Sequence, residues 1–495
     1  MSDERTPEPP AVEETEATEE TEPIKTRKNG LYPAVSDELA DSMKSGWADT
    51  ELTGLAPLPQ AAHTAARRTA LSARFPGERL VVPAGHLKTR ANDTEYAFRA
   101  ATEYAYLTGD QTQDGVLVLE PKTGGSGHDA TVYLLPRSDR ENGEFWLDGQ
   151  GELWVGRRHS LTEAEQVLGI PAKDVRELAA ALKEATGPVR VVRGYDAGIE
   201  AALTDKVTAE RDEELRVYLS EARLVKDDFE IAELQKACDI TARGFEDVVK
   251  VLDKAEATSE RYLEGTFFLR ARVEGNDIGY GSICAAGPHA TTLHWVRNDG
   301  AVRSGELLLL DAGVETHDLY TADVTRTLPI NGTFSPLQRT IYDAVYAAQE
   351  AGIAAVKPGA GFRDFHDAAQ RVLTEHLVAW GLLGDLTVEK VLELGLQRRW
   401  TLHGTGHMLG MDVHDCAAAR TETYVNGTLE PGMCLTVEPG LYFQADDLTV
   451  PEEYRGIGVR IEDDILVTED GNRNLSDKLP RRSDEIESWI AGLKG

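Results

Sequence analysis

Several features that would assign a chain to other protein classes are scarce or missing in this sequence of 495 residues. It has only four cysteines and no CxxC pair, so we expect buried, reduced thiols and no disulfide framework or zinc knuckle. No run of about 18 apolar residues occurs, which argues against a membrane-spanning helix. Basic residues number 52 against 85 acidic ones, and the formal charge of −33 disfavours nucleic acid and anionic membranes as partners.

The first 28 residues are acidic and rich in Glu, Thr and Pro, with no apolar stretch. This composition does not fit a secretory signal, and it predicts a disordered leader over residues 1–28 to which we assign no chemistry. The chain is therefore expected to be cytoplasmic. Its length predicts two domains after the leader.

Alternating strand and helix patterns predict a first domain over residues 37–223. The apolar runs Val116–Leu119 and Val189–Val192 have the composition of buried strands. Between them, residues 162–168 and 175–186 show helical periodicity. We predict an α/β fold for this domain.

A change of pattern near Lys226 predicts a second domain over residues 226–495. Apolar residues then recur at the spacing of a long amphipathic helix, namely Ile231, Leu234, Cys238, Phe245 and Val249. A further long helix is predicted to begin at Ser335, with Pro336 at its first position and Gln338 completing a capping box. Helices and strands alternate through this half as a duplicated α/β unit would give.

Five segments of the second half place ionisable residues inside or at the ends of strand-like runs, where an unpaired charge is costly. The segments are Leu307–Gly313, Tyr320–Arg326, His403–His407 with His414 after it, Leu435–Gly440, and Gly456–Asp464. Taken singly, each is also typical of a turn or a helix cap. Together they offer two Asp, two Glu and one His, an oxygen-rich set that suits hard or borderline divalent ions such as manganese.

The charge of these carboxylates favours two metal ions over one. Four carboxylates carry too much negative charge for a single divalent ion in a buried pocket, but they match two. Two ions about 3.5 to 4 Å apart can share a water molecule, lower its pKa and hold a substrate carbonyl. Hydrolysis of a peptide bond is the natural reaction of such a site.

The same segments carry a resemblance to a known family. Residues 226–480 resemble the pita-bread metallohydrolases, which include methionine aminopeptidase, prolidase, creatinase and aminopeptidase P, through LLDAG, ADVTRT, HGTGH, LTVEPGLY and GIGVRIEDD. The first domain resembles that of aminopeptidase P through Asn92–Tyr96 with Phe98 and Arg99, Tyr106–Gly109 and Leu153–Arg158. The fold implied is an α/β N-terminal domain followed by an α+β pita-bread (creatinase/aminopeptidase) catalytic domain.

The resemblance implies an assignment for each metal ligand. Asp311 is expected to bind one ion, Asp323 and Glu462 to bridge both ions, and His407 and Glu438 to bind the second ion. Manganese is the metal expected, with cobalt, iron or zinc as alternatives. Glu438 is also expected to act as acid and base toward the bridging water and the leaving nitrogen.

Six further residues are expected to contact the substrate. By resemblance, His294 contacts it near the scissile bond and His414 stabilises the tetrahedral oxyanion. The substrate-binding set is His403, Arg460, Tyr442 and Asp93. For His403 and Arg460 a role in orienting the metal ligands remains an alternative. Asp93 matches a position that reaches a neighbouring subunit in some relatives, which implies a homodimer or homotetramer.

One spacing departs from the family pattern. Asp311 and Asp323 are twelve residues apart, one more than is usual in the family. Because side chains alternate along a strand, both carboxylates can point inward only if the hairpin turn or a bulge takes up the extra residue. We expect the turn to do so.

The activity implied is release of the N-terminal residue from peptides with proline at the second position. Prolidase, which cleaves Xaa-Pro dipeptides only, is the nearest alternative because it has both domains and all five ligands. The large first domain argues against a simple methionine aminopeptidase, and the retained ligands argue against metal-free creatinase. A catalytically inactive binding scaffold is the alternative from another class, and buried carboxylates kept without metal would destabilise it.

Overall fold

The computed structural model describes residues 35–124, 126–184 and 187–494, and the predicted leader lies outside them. Within these ranges no helix is both long enough and apolar enough to cross a membrane. All four cysteines are buried and unpaired, as expected from their spacing.

The described helices span short and long segments throughout the chain. They are α1 (Asp37–Met43), α2 (Ala61–Arg74), α3 (Thr102–Thr108), α4 (Glu144–Leu147), α5 (Glu152–Val155), α6 (Leu161–Leu168), α7 (Leu178–Lys183), α8 (Ala197–Ala202), α9 (Ala209–Ala222), α10 (Asp228–Lys250), α11 (Leu252–Ala255), α12 (Glu260–Glu274), α13 (Pro336–Ala355), α14 (Asp364–Ala379), α15 (Val388–Leu394) and α16 (Ser483–Lys494).

The described strands are short and mostly antiparallel. They are β1 (Arg79–Pro83), β2 (Thr89–Ala91), β3 (Thr94–Glu95), β4 (Val116–Pro121), β5 (His128–Leu134), β6 (Ala172–Asp174), β7 (Val189–Val191), β8 (Asp277–Ile278), β9 (Ile283–Ala286), β10 (Leu307–Ala312), β11 (Val314–Glu315), β12 (Val324–Pro329), β13 (Cys434–Val437), β14 (Gly440–Phe443), β15 (Ile457–Arg460), β16 (Asp463–Val467) and β17 (Asn472–Asn474).

The first half forms a mixed sheet with the strand order β6-β5-β4-β1-β7. Strand β1 is buried along its whole length, with Leu80 and Val82 packed in one core and Val81 in another. Burial on both faces explains why β1 and β4 are continuous apolar runs without polar alternation. The predicted α/β character of this half is therefore confirmed.

Both long helices predicted in the second half are present, and the second begins at the Ser335 cap that its sequence indicates. Asp227 caps α10 in a capping box with Glu230, and the apolar side of this helix includes the buried residues Leu234, Cys238 and Phe245. Ser335 caps α13 and its hydroxyl accepts from the backbone N–H of Gln338.

The second half consists of two similar units that meet at the site. In the first, β12-β10-β9 form a sheet next to α10 and α12, and in the second, β13-β16-β17 form a sheet near α13 and α14. An isolated bridge between Thr325 and Glu462 joins the two sheets. The strand ends of both units therefore meet at one place, as a duplicated α/β unit predicts.

Candidate active site

The predicted ligands lie at the ends of strands from both units. Asp311 is in β10, Asp323 directly precedes β12, and Glu438 follows β13. Glu462 lies between β15 and β16, and His407 is held by hydrogen bonds between its backbone and Thr436 of β13. Since all five lie in, next to, or hydrogen-bonded to buried strands, the packing of the strands fixes where the polar groups lie.

The hairpin between the two aspartates takes up the extra residue. Strands β10 and β12 pair in regular register, with Asp311 opposite Thr325. Beyond them the chain closes through a bridge between Glu315 and Thr321, and Leu319 adopts a positive φ of 67° in the tip. Both aspartates therefore point to the same side, and the tip accommodates the added residue.

Three of the five predicted ligands form a compact cluster. One ligand atom each of Asp323, His407 and Glu462 lies within 4.8 Å of the others. Asp311 and Glu438 lie next to different members of this cluster. Glu438 Oε1 is 3.7 Å from His407 Nε2, whereas Asp311 shares the hydroxyl of Tyr280 with Asp323.

Burial makes the acidic groups of this cluster costly to ionise. Desolvation raises the pKa of Asp311, raises that of Glu438 to about 7, and raises that of Glu462 well above its usual value. Burial alone would lower the pKa of His407, but its contacts with Asp323 and Glu438 outweigh this and raise it to about 9. The cluster thus has more negative charge than its surroundings balance.

The donor set fits divalent metal ions. Among residues 35–124, 126–184 and 187–494, Arg460 is the one arginine whose guanidinium pairs with these carboxylates, through Asp311. Buried carboxylates that close together are stable only with more positive charge, and divalent ions supply it. Two ions bound close together need some ligands that they share and others that bind only one ion. The trio of Asp323, His407 and Glu462, with Asp311 and Glu438 beside it, offers enough ligands for both.

A second group of polar residues lines the other side of the site. The hydroxyl of Tyr442 lies 2.8 Å from Nε2 of His403 and accepts from Nη1 of Arg460 at 3.0 Å. Burial lowers the pKa of His403 to about 4, so its ring is neutral. Since Nδ1 of His403 lies 2.6 Å from the Gly404 carbonyl, Nδ1 carries the proton and Nε2 accepts from Tyr442.

His294 and His414 lie on the wall of the same cavity of about 720 Å³, which also exposes the predicted metal ligands. The ring of His414 is 4.4 Å from that of His407, and burial lowers the pKa of His414. Apolar walls complete the cavity, formed by Ile283, Leu293, Val296 and Val413.

One predicted substrate-binding residue lies elsewhere. Asp93 is exposed in the turn between β2 and β3 and is not part of the cavity wall of its own chain. The structure brings the other substrate-binding residues together and leaves Asp93 outside.

The sequence did not single out Tyr280, which the structure places at the centre of the site. Its buried hydroxyl is 2.7 Å from Oδ1 of Asp311 and 2.5 Å from Oδ1 of Asp323. Tyr280 lies between two glycines, and Gly279 packs so closely on Thr321 that a side chain there would clash. An aromatic residue between glycines was the available signal.

Arg99 of the first half also contacts both loops that carry site residues. Its Nε pairs at 2.6 Å with Glu315, in the hairpin between the two aspartates that are predicted to bind metal. Its Nη2 donates at 2.7 Å to the carbonyl of Met411, between His407 and His414. The first domain thus supports the site directly, although the cavity wall comes from the second half.

Comparison with known proteins gives a consistent result. Residues 232–469 match metallopeptidase family M24, and residues 64–192 match the aminopeptidase P N-terminal domain. The chain is 82% identical to Xaa-Pro aminopeptidase 1 of Streptomyces coelicolor over 100% of both chains. It is 64% identical to Xaa-Pro aminopeptidase 2 of the same organism, over 95% of this chain and 99% of that one.

Solved structures agree with these matches. Aminopeptidase PepP of Pseudomonas aeruginosa superposes with a TM-score of 0.79 at 32% identity, covering 89% of this chain and 100% of that chain. An Escherichia coli aminopeptidase P variant in complex with substrate gives a TM-score of 0.78 at 31% identity, covering 88% and 99%.

The fold and the acidic cluster define a metallopeptidase of family M24 with the pita-bread catalytic domain. With the matching N-terminal domain and the full-length identity, the chain belongs to the aminopeptidase P family, the Xaa-Pro aminopeptidases.

Proposed function

We propose that this enzyme releases the first residue of peptides whose second residue is proline, with Glu438 as the acid and base. The observation that carries the proposal is the acidic cluster of Asp311, Asp323, His407, Glu438 and Glu462 at one wall of the cavity. The full-length identity of the chain to Xaa-Pro aminopeptidase 1 supports peptides with proline at the second position as the substrate class.

The five clustered residues would hold two divalent ions, and manganese is the metal we propose. Bound there, such ions supply Lewis-acid polarisation of a substrate carbonyl and of a water molecule. The excess of buried carboxylate charge supports this number of ions.

Glu438 is placed to move the proton of the reaction. Its carboxylate borders the cavity, with Oε1 3.7 Å from His407 and Oε2 3.7 Å from His403. It takes a proton from the attacking water as the C–O bond forms. It returns that proton to the proline nitrogen as the C–N bond breaks, which this nitrogen needs in order to leave as an amine.

The histidines of the cavity wall stabilise the developing charge. His414 is neutral because burial lowers its pKa, so it can still donate one hydrogen bond to the carbonyl oxygen. His294 lies on the same wall and is proposed to contact the substrate near the scissile bond. His403, Tyr442 and Arg460, already linked by hydrogen bonds, are proposed to hold the proline ring.

The test compares three peptides after chelation and after return of manganese. The peptides are Xaa-Pro-Pro-Ala, Xaa-Pro and Xaa-Ala-Ala-Ala. We expect manganese-dependent release of the first residue from the long proline peptide and little cleavage of the alanine peptide, because the pocket accepts a ring without an amide hydrogen. Cleavage of the dipeptide alone would make the chain a prolidase, and no cleavage with metal bound would favour an inactive scaffold.

We also propose a homodimer or homotetramer in which Asp93 acts at a neighbouring site. The exposure of Asp93, outside its own cavity, supports this. Sedimentation should give a mass of two or four chains of 54.1 kDa each. A fully active monomer would remove this role from Asp93.

We assign residues 37–223 to the N-terminal domain and 226–495 to the catalytic domain.

A further inference from the structure

A second cavity, of about 280 Å³, adjoins the active-site cavity. His403 and Gly404 line both of them, so the two spaces meet beside the residues that we assign to the proline ring. The part of the second cavity beyond His403 is formed by Arg363, His366, Gln397 and Arg398, and we call it the basic cavity. No predicted metal ligand lines it.

The two arginines of the basic cavity are not neutralised by acidic neighbours. Within residues 35–124, 126–184 and 187–494, neither Arg363 nor Arg398 forms an ion pair. Among the described residues, the side chain of Arg363 donates only to Oδ1 of Asn426, at 3.2 Å. Nearby arginines differ in this respect, since Arg371 pairs with Glu389 and Arg399 with Asp447. Two arginines without an ion pair in the lining of one cavity are unexpected in a chain with a net charge of −33.

The remaining walls offer further hydrogen-bonding capacity. Nδ1 of His366 accepts from the backbone N–H of Thr405 at 3.2 Å, which leaves the proton on Nε2. Gln397 is only 6% exposed, and its Oε1 is buried without a hydrogen-bond partner. Such an unpaired buried group is uncommon in a folded protein and marks a place where a ligand or a water molecule is expected. As an acceptor, this oxygen calls for a donor such as a peptide N–H or a water molecule, and the arginines are the groups suited to a carboxylate.

We propose that the basic cavity binds the C-terminal carboxylate of a short peptide whose proline lies at His403. The inference rests on the proposed function, because it takes the direction of the peptide from it. His403 lies 3.7 Å from Glu438 and also borders the basic cavity, so a chain that continues past the proline enters this cavity. Arginine pairs well with carboxylates, and the cavity is open to chains longer than a dipeptide.

This subsite would make the enzyme selective for small peptides with a free C-terminus. The strong negative charge of the chain repels peptide carboxylates in general, so a local pair of arginines is needed to attract one. Each added residue extends a peptide by about 3.3 to 3.6 Å, so only chains of suitable length bring the carboxylate to the arginines.

The test compares free-acid and amidated peptides of increasing length. The series is Ala-Pro-Ala, Ala-Pro-Ala-Ala and Ala-Pro-Ala-Ala-Ala, each with and without a C-terminal amide, with manganese present. At the best length we expect kcat/KM to be about tenfold higher for the free acid, since a charge-assisted hydrogen bond contributes that much. The gain should lie in KM and not in kcat.

The double variant Arg363→Gln and Arg398→Gln should bring this ratio near one and leave hydrolysis of the amides unchanged. Both side chains are exposed, so the fold is not at risk. Arg371→Gln, in helix α14 just after Arg363 but outside the basic cavity, removes a charge nearby and should keep the ratio. If no peptide is cleaved, the proposed function fails. Two outcomes would contradict the subsite and leave the function standing. In one, the amides are cleaved but kcat/KM is the same for free acid and amide at every length; in the other, the double variant keeps the preference for the free acid.

Discussion

Replacing Glu438 with glutamine is expected to lower kcat on Xaa-Pro-Pro-Ala by about a thousandfold or more, because the amide can neither accept nor return the proton. Glutamine keeps the size of the side chain, so the backbone hydrogen bond from Glu438 N to the Thr405 carbonyl should remain. Removing one buried carboxylate should also weaken the binding of one metal ion. The measurements are steady-state kinetics and metal content after dialysis against limiting manganese.

The matched control is Glu430→Gln, an exposed glutamate that precedes β13. It removes the same charge without touching the cavity, so its kcat and metal content should equal those of the unmodified enzyme. Substantial activity in the Glu438 variant, with normal metal content, would remove Glu438 from the proton path. If the Glu438 variant folds normally but loses metal, Glu438 is a metal ligand, and the loss of kcat says nothing about proton transfer. Kinetics are therefore also measured at saturating manganese.

The convergence of the acidic residues could be predicted from the sequence for a physical reason. Each lies in or directly beside a strand that has to be buried, and a run such as Leu307–Leu310 can place Asp311 only at the inner end of its strand. The same logic predicted α10 and α13, whose starts are set by local capping contacts. These features depend on neighbours in sequence.

Other parts of the site depend on contacts that no local pattern reports. Tyr280 reaches Asp311 and Asp323 because β8 pairs with β11, an event of tertiary structure. The basic cavity needs His366 from α14 and Gln397 from a separate turn to come together. In sequence, His366 and Gln397 look like ordinary polar residues on the surface of a helix or turn, so neither indicates a cavity.

The ion pair between Arg326 and Asp463 gives the second large prediction, because it connects the strands that carry two proposed metal ligands. Both side chains are fully buried, with Nη2 of Arg326 2.8 Å from Oδ1 of Asp463. Arg326 also donates at 2.7 Å to the carbonyl of Glu462, so it links β12, after Asp323, to the segment before β16.

Replacing Arg326 with methionine should lower the free energy of unfolding by about 3 to 5 kcal/mol, since the buried carboxylate of Asp463 keeps only its longer ion pair with Arg481, at 3.6 Å. Thermal or urea unfolding of the metal-free chain measures this loss directly and keeps metal binding out of the comparison. Arg482→Met removes an exposed arginine that pairs with Asp484 and should change stability by less than about 0.5 kcal/mol. An equally small loss for Arg326 would mean that the other partners of Asp463 hold the strands without it, namely Arg481, Gln349 and Ser476. If the large loss is found and the folded fraction also binds manganese weakly, the same buried contact both stabilises the catalytic domain and sets the distance between Asp323 and Glu462.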